Sequence, residues 1–307
     1  MQTLIIKNTD RCNFCCSFCS AKALNIKHHD RLPDKIRDYI LQVKPKEIIV
    51  VGGDPLLVSP EYYYDLINLT NSISITTNLK DFYNNSNKWK DLFSLKNFHI
   101  TTSFQYGGER KDVEGEFTEY RFLQYFNKVL DETGKRVPFI SVIGKNNESK
   151  ALDHVRLAKS LHTVCRLNNV LPIGLSKEYY PRHKILNIYL DVEELGLGNY
   201  ELNVLNKNKS CCPIYTNNCG EELGSCWVDN SDNLVTGLCD DYVGLCSQDL
   251  KYTDQPLKKC LCCPLFSLCN NCKTNRYCIK KYADENYCRE MKKVAIRMKN
   301  NNWRLEL

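Results

Sequence analysis

Cys12, Cys16 and Cys19 lie in the run RCNFCCSFCS, with three and then two residues between them and a spare thiol at Cys15. The thiolate is the form of cysteine that binds metal. Three thiolates on a four-iron cluster leave one iron open, and an open position is where a metal site takes a small molecule. A cluster that only carries electrons is normally closed by four thiolates. A zinc site or merely buried thiols are the plainer alternatives, and Cys15 reads as a packing residue or a bystander.

Thirteen of the 18 cysteines fall between Cys211 and Cys288, and such local crowding needs a chemical cause. Cys260, Cys263, Cys269 and Cys272 form two Cys-x-x-Cys pairs that would make a four-thiolate zinc site. Compartment bears on the choice. No run approaches the roughly 20 apolar residues that span a bilayer, and Met1 to Asn8 has neither a basic leader nor a cleavable apolar segment. A cytoplasmic protein with no membrane partner is expected, and in a reducing compartment abundant cysteine binds metal or does catalysis more often than it forms disulfides. Of all residues 43% are hydrophobic and 25% charged, as in an ordinary globular protein. The net charge of +6 lacks the dense Lys/Arg stripes that would put nucleic-acid binding first.

The elements that must hold these thiols alternate between strand and helix. Strand candidates are Thr3 to Lys7, Glu47 to Val51, Ile73 to Thr77, His99 to Phe104, Phe139 to Ile143 and Val164 to Leu171, with amphipathic segments such as Lys35 to Val43 and Ser149 to Leu161 between them. Repeated βα units favour a parallel sheet with helices outside and ligands at the C-terminal strand ends. The expected fold is therefore α/β, a partial (β/α)6 barrel over residues 1–175, then a linker over 176–210 and a small cysteine-rich domain over 211–307. Within the last, WVDNSDNLVTGL between Cys226 and Cys239 reads as a hairpin, and Glu285 to Met298 as a basic surface helix.

The first cysteine pattern, its place after strand one and the aromatic Phe18 before Cys19 resemble the signature of the radical S-adenosylmethionine (radical SAM) superfamily. The resemblance implies a 4Fe-4S cluster on Cys12, Cys16 and Cys19 whose open iron chelates S-adenosylmethionine. One electron then breaks the sulfonium bond to give a 5'-deoxyadenosyl radical. Phe18 would contact the adenine. Gly52, Gly53, Asp54 and Pro55 resemble the family's Gly-Gly-Glu-Pro segment, which binds the methionine amino group, with Asp in place of Glu. Thr76, Thr77 and Asn78 resemble its Thr-Asn-Gly, although Leu79 replaces the glycine, and Ser103 matches a strand end that faces the cofactor. Capping and turn formation are the ordinary alternatives for these polar residues.

The later cysteines resemble a SPASM domain, an appendage of many radical SAM enzymes. That resemblance implies two auxiliary 4Fe-4S clusters, one on Cys219, Cys226, Cys239 and Cys272, the other on Cys260, Cys263, Cys269 and Cys288, with Cys278 as the rival to Cys288 and further spare thiols at Cys211, Cys212, Cys246 and Cys262. Asp240 stands where related sulfatase-maturating enzymes carry a carboxylate that accepts a substrate proton, although Asp241 is beside it.

Auxiliary clusters suit oxidative chemistry, so the expected function is oxidative modification or cross-linking of a peptide or protein. A flavodoxin or ferredoxin would be the electron donor. The first strand begins at residue 3, which points to a separate peptide-recognition protein or the C-terminal domain for substrate choice. A nucleoside, nucleic-acid base or other small molecule as substrate, and a zinc-stabilised non-catalytic binding module, are the competing expectations.

Overall fold

The computed structural model describes residues 3–19, 28–172, 175–176, 178–197, 225–228, 234–237, 258–269 and 273–301. In chain order the elements begin with β1 (Thr3–Thr9), α1 (Asp34–Val43), β2 (Glu47–Gly52), α2 (Pro60–Ile67), β3 (Ile73–Thr76), α3 (Lys80–Asn84), α4 (Ser86–Ser94) and β4 (Phe98–Ser103). A short hairpin, β5 (Lys111–Asp112) and β6 (Gly115–Glu116), precedes α5 (Glu119–Thr133), β7 (Phe139–Ile143), α6 (Ala151–Ser160), β8 (Cys165–Asn169) and α7 (Arg182–Glu194). Then come β9 (Ser225–Val228), β10 (Leu234–Gly237), α8 (Phe266–Cys269), α9 (Lys273–Tyr282) and α10 (Tyr287–Asn300).

Six strands run parallel in the order β1-β2-β3-β4-β7-β8, the partial (β/α)6 barrel. Side chains alternate across it because the strand period is two. On β4, Phe98, Ile100 and Thr102 are buried, while His99, Thr101 and Ser103 face the other way and are more open. Phe98 meets Tyr63 of α2 edge-on at 5.6 Å and packs against Phe93 of α4 at 5.9 Å, which identifies the buried side as the helix side. The cysteine-rich part contributes to the same sheet: β9 pairs parallel with β1, and β10 pairs antiparallel with β9, as the two strands of the expected hairpin would.

Two apolar cores divide the molecule. One joins β1 to β4 with α1 to α5; the other gathers Ile143 and Leu167 with Leu186 and Leu190 of α7, Leu265, Cys269, Ile279, and Met291, Val294 and Met298 of α10. Phe18 packs against both. The closing helix therefore differs from the basic surface helix expected from its composition: Tyr287, Met291, Val294, Ala295 and Met298 form a buried stripe, and Arg297 bonds Asp191 and Glu194 of α7. Lysines and arginines on its outer face mask a stripe at helical spacing. The stretch read as a connection, 176–210, contains α7.

Candidate functional site

The cysteine loop leaves the C-terminal end of β1 and is clasped at once by the turn after β2. Gly53 N–H donates to Thr9 O at 2.7 Å, and Asp54 N–H to Arg11 O at 2.7 Å. Gly52 has φ +151°, a region that favours glycine. A Cβ there would stand 2.2 Å from Thr9 O, and one on Gly53 1.9 Å from Arg11 O. Both glycines thus let the chain touch the root of the cysteine loop.

Asp54 is 2% exposed. Oδ1 accepts from Leu56 N–H at 2.9 Å, Oδ2 from Asn78 N–H at 2.7 Å, and the Thr77 hydroxyl lies within 3.1 Å of both. These bonds tie the tips of β2 and β3 together. A carboxylate offers about four lone-pair sites, so three donors leave room for one more, which an ammonium could take. Burial pushes the Asp54 carboxyl up, against the bonds from Asn78, Leu56 and Thr77 that lower it.

Asn78 reaches back to the loop: its amide Nδ2 donates to Asn13 Oδ1 at 2.6 Å and lies 3.9 Å from Cys12 Sγ. Leu79, where the resembled motif has glycine, adopts φ +66°, so the backbone keeps the left-handed turn although the residue is leucine. Ser103 ends β4 on the open face of the sheet with Thr101.

Cys12 and Cys19 are half-buried, Cys16 is buried and Cys15 is exposed. Burial, then the nearby Asp54 charge, then Cys16 and Cys19 push the Cys12 thiol up to about 12. Three thiols close enough to oppose one another's ionisation, on a loop held by backbone bonds, fit a polycationic centre that displaces their protons.

On its far side the loop pairs with residues 109–112, an interaction the sequence reading missed. Phe14 bridges Asp112, Cys15 N–H donates to Lys111 O at 2.7 Å and Ser17 N–H to Glu109 O at 3.1 Å. Below this hairpin, Asp112 bonds Lys80 Nζ at 2.6 Å and Arg121 at 2.7 Å. Burial alone would raise the Asp112 carboxyl, but the bonds from Arg121 and Lys80 outweigh it and hold it at about 2. The signal available in the sequence was the turn-forming Asp112-Val-Glu-Gly115.

The family model described as Radical SAM superfamily matches residues 6–158. Those residues form a radical SAM domain. Two solved structures of Streptococcus suis SuiB resemble the chain: one bound to precursor peptide SuiA, 15% identical, covering 92% of this chain and 73% of that one with a TM-score of 0.60, and one bound to S-adenosylmethionine, 16% identical, covering 92% and 74% with a TM-score of 0.56. No curated protein matches the sequence. At such identity the likeness shows the fold, while the radical SAM domain matched over residues 6–158 implies S-adenosylmethionine and a 4Fe-4S cluster.

Beyond the radical SAM domain, Cys260, Cys263, Cys269 and Cys288 line one cavity of about 230 Å³. Lys259, Lys280 and Lys292 share its wall with Leu265, Ile279 and Met291. Burial pushes the Cys269 thiol up to about 12; Arg182 opposes this, and Cys263, Cys288 and Cys260 add to it. Cys278 is buried in α9 and does not line the cavity. Cys219, Cys239, Cys272 and Asp240 lie outside the described residues, and of Cys226 only the backbone, paired with Ile6, is described. Among the described residues no three His, Cys, Asp or Glu side chains converge as the ligands of a single metal ion would, and no helix is long and apolar enough to cross a membrane.

Proposed function

We propose that the chain is a radical SAM enzyme that oxidatively modifies or cross-links a peptide or protein substrate. The observation that carries the reading is the three-thiol loop at the C-terminal edge of a parallel sheet, clasped by Gly52, Gly53 and Asp54. Cys12, Cys16 and Cys19 would hold a 4Fe-4S cluster, and the spare acceptor capacity of Asp54 supports its role towards the cofactor's ammonium. When bound, cluster and S-adenosylmethionine supply a one-electron cleavage that yields a hydrogen-abstracting 5'-deoxyadenosyl radical. Phe18 would flank the adenine, and Asn78 and Ser103 lie at strand ends able to orient it.

An oxidative outcome needs somewhere for an electron to go. The four thiols and three lysines around one cavity support an auxiliary cluster on Cys260, Cys263, Cys269 and Cys288, the lysines offsetting its negative charge. The second auxiliary set, Cys219, Cys226, Cys239 and Cys272, and Asp240 as the proton acceptor remain part of the proposal. So do a flavodoxin or ferredoxin as reductant and a separate peptide-recognition protein. SuiB, crystallised with its precursor peptide, supports the peptide class.

Anaerobic reconstitution followed by iron and zinc counts tests this directly. About twelve irons, falling by about four with loss of cleavage when Cys12, Cys16 and Cys19 are all changed to Ala, is the expected result. Zinc without iron would overturn it. A peptide encoded beside the gene should change mass under reducing, anaerobic conditions; an unchanged mass with cleavage intact would overturn the peptide assignment alone.

A further inference from the structure

Among the described residues Arg110 is a charged group without a matching charge. It is 7% exposed, no hydrogen bond or ion pair joins its guanidinium to any described residue, and its buried Nε lacks a partner. A guanidinium keeps its proton in proteins, so it cannot neutralise itself as a buried lysine can. An uncompensated buried cation is costly, and such a group calls for an anion.

Its position names the anion. The pairing of 14–17 with 109–112 is antiparallel, with Phe14 bridged to Asp112, Cys15 bonded to Lys111 and Ser17 to Glu109. The same register sets Arg110 opposite Cys16, in a non-hydrogen-bonded pair whose side chains share a face. The guanidinium accordingly stands 6.0 Å from the Phe14 ring centroid and 5.5 Å from that of Phe18, rings two residues to either side of Cys16.

We propose that Arg110 is the counter-charge of the three-thiol site, a positioning residue that offsets the negative charge of the thiolate-bound cluster at Cys16. The proposal rests on the cluster reading above. Reduction adds a further negative charge, so a fixed cation beside the sulfur favours the reduced form and raises the midpoint potential.

Arg110→Met and Arg110→Lys test this in the reconstituted full chain, by a redox titration followed spectroscopically, with the triple Ala variant at Cys12, Cys16 and Cys19 subtracting signals from other clusters. The expected result is a more negative midpoint in Arg110→Met, largely restored in Arg110→Lys, with affinity for S-adenosylmethionine within about twofold of wild type. Cluster-free Arg110→Met should melt no lower than cluster-free wild type, because it removes a buried charge; a lower melting temperature would make Arg110 a structural residue and overturn the proposal. An unchanged midpoint with tenfold weaker S-adenosylmethionine binding would also overturn it, assigning the guanidinium to the cofactor's carboxylate. A wild type that takes up no iron would fail at the earlier step and sink the cluster reading itself.

Discussion

The two cysteine sites are built on opposite principles. Cys12, Cys16 and Cys19 come from one short loop, held on one side by Gly53 and Asp54 and on the other by the 109–112 strand. Those bonds are backbone bonds between packed elements and need no metal. Cys260, Cys263, Cys269 and Cys288 come from a turn, α8 and α10, and the space they enclose is a cavity. Thiols brought together from separate elements gain stability from a group that joins them, whereas a clasped loop is preorganised.

The largest effect should separate the two. Stripping metal is expected to leave the barrel folded while proteolysis or hydrogen exchange opens the region carrying α8 to α10. Cys288→Ala should reproduce that opening and remove about four irons. Cys278→Ala, in the adjacent helix but outside the cavity wall, should keep the iron and lose only about 1 kcal/mol of packing. Equal iron loss in both variants would erase the distinction.

At the clasped site backbone fit, rather than metal, is the vulnerable part. Gly53→Ala puts a Cβ against Arg11 O, a backbone atom with nowhere to go. The clasp must open, at a cost of about 3 kcal/mol in urea unfolding, and uptake of the first cluster should fall while iron in the C-terminal region stays. Wild-type stability in Gly53→Ala would mean the loop is free to move.

Legibility in the sequence follows the same division. Strand positions were readable because parallel strands are apolar runs bounded by turns: Phe139 to Ile143 is found where expected, and the other five barrel strands shift by a residue or two at their ends. The thiol spacing was readable because metal chemistry dictates it. Four features were not. The 109–116 hairpin has strands of two residues, too short to show a period. Arg110 means nothing until the register sets it opposite Cys16. The buried stripe of α10 was hidden by its basic residues, and the pairing of β9 with β1 joins positions more than 200 residues apart, which no local pattern reports.

The smallest expected effect concerns the hairpin's footing. Asp112 is held at about 2, below its ordinary value of 3.8, by Arg121 and Lys80 against the opposing pull of burial. Because the folded value is depressed, the carboxylate contributes stability that is fully present above about pH 4 and lost as the pH falls through about 2. The contribution is about 1–2 kcal/mol after allowing for Glu114, an exposed carboxylate that shares Lys80 and Arg121 with Asp112. Asp112→Asn should therefore flatten the acid limb of the stability curve between pH 4 and 2 and leave Lys80 and Arg121 partly unpaired at neutral pH. Since Asp112 anchors the strand that faces Cys16, the same variant should also loosen the first cluster, seen as faster iron release to a chelator, without changing release from the C-terminal cavity. Equal release from both sites would show that the hairpin does not brace the loop, leaving the clasp of Gly53 and Asp54 to hold it alone.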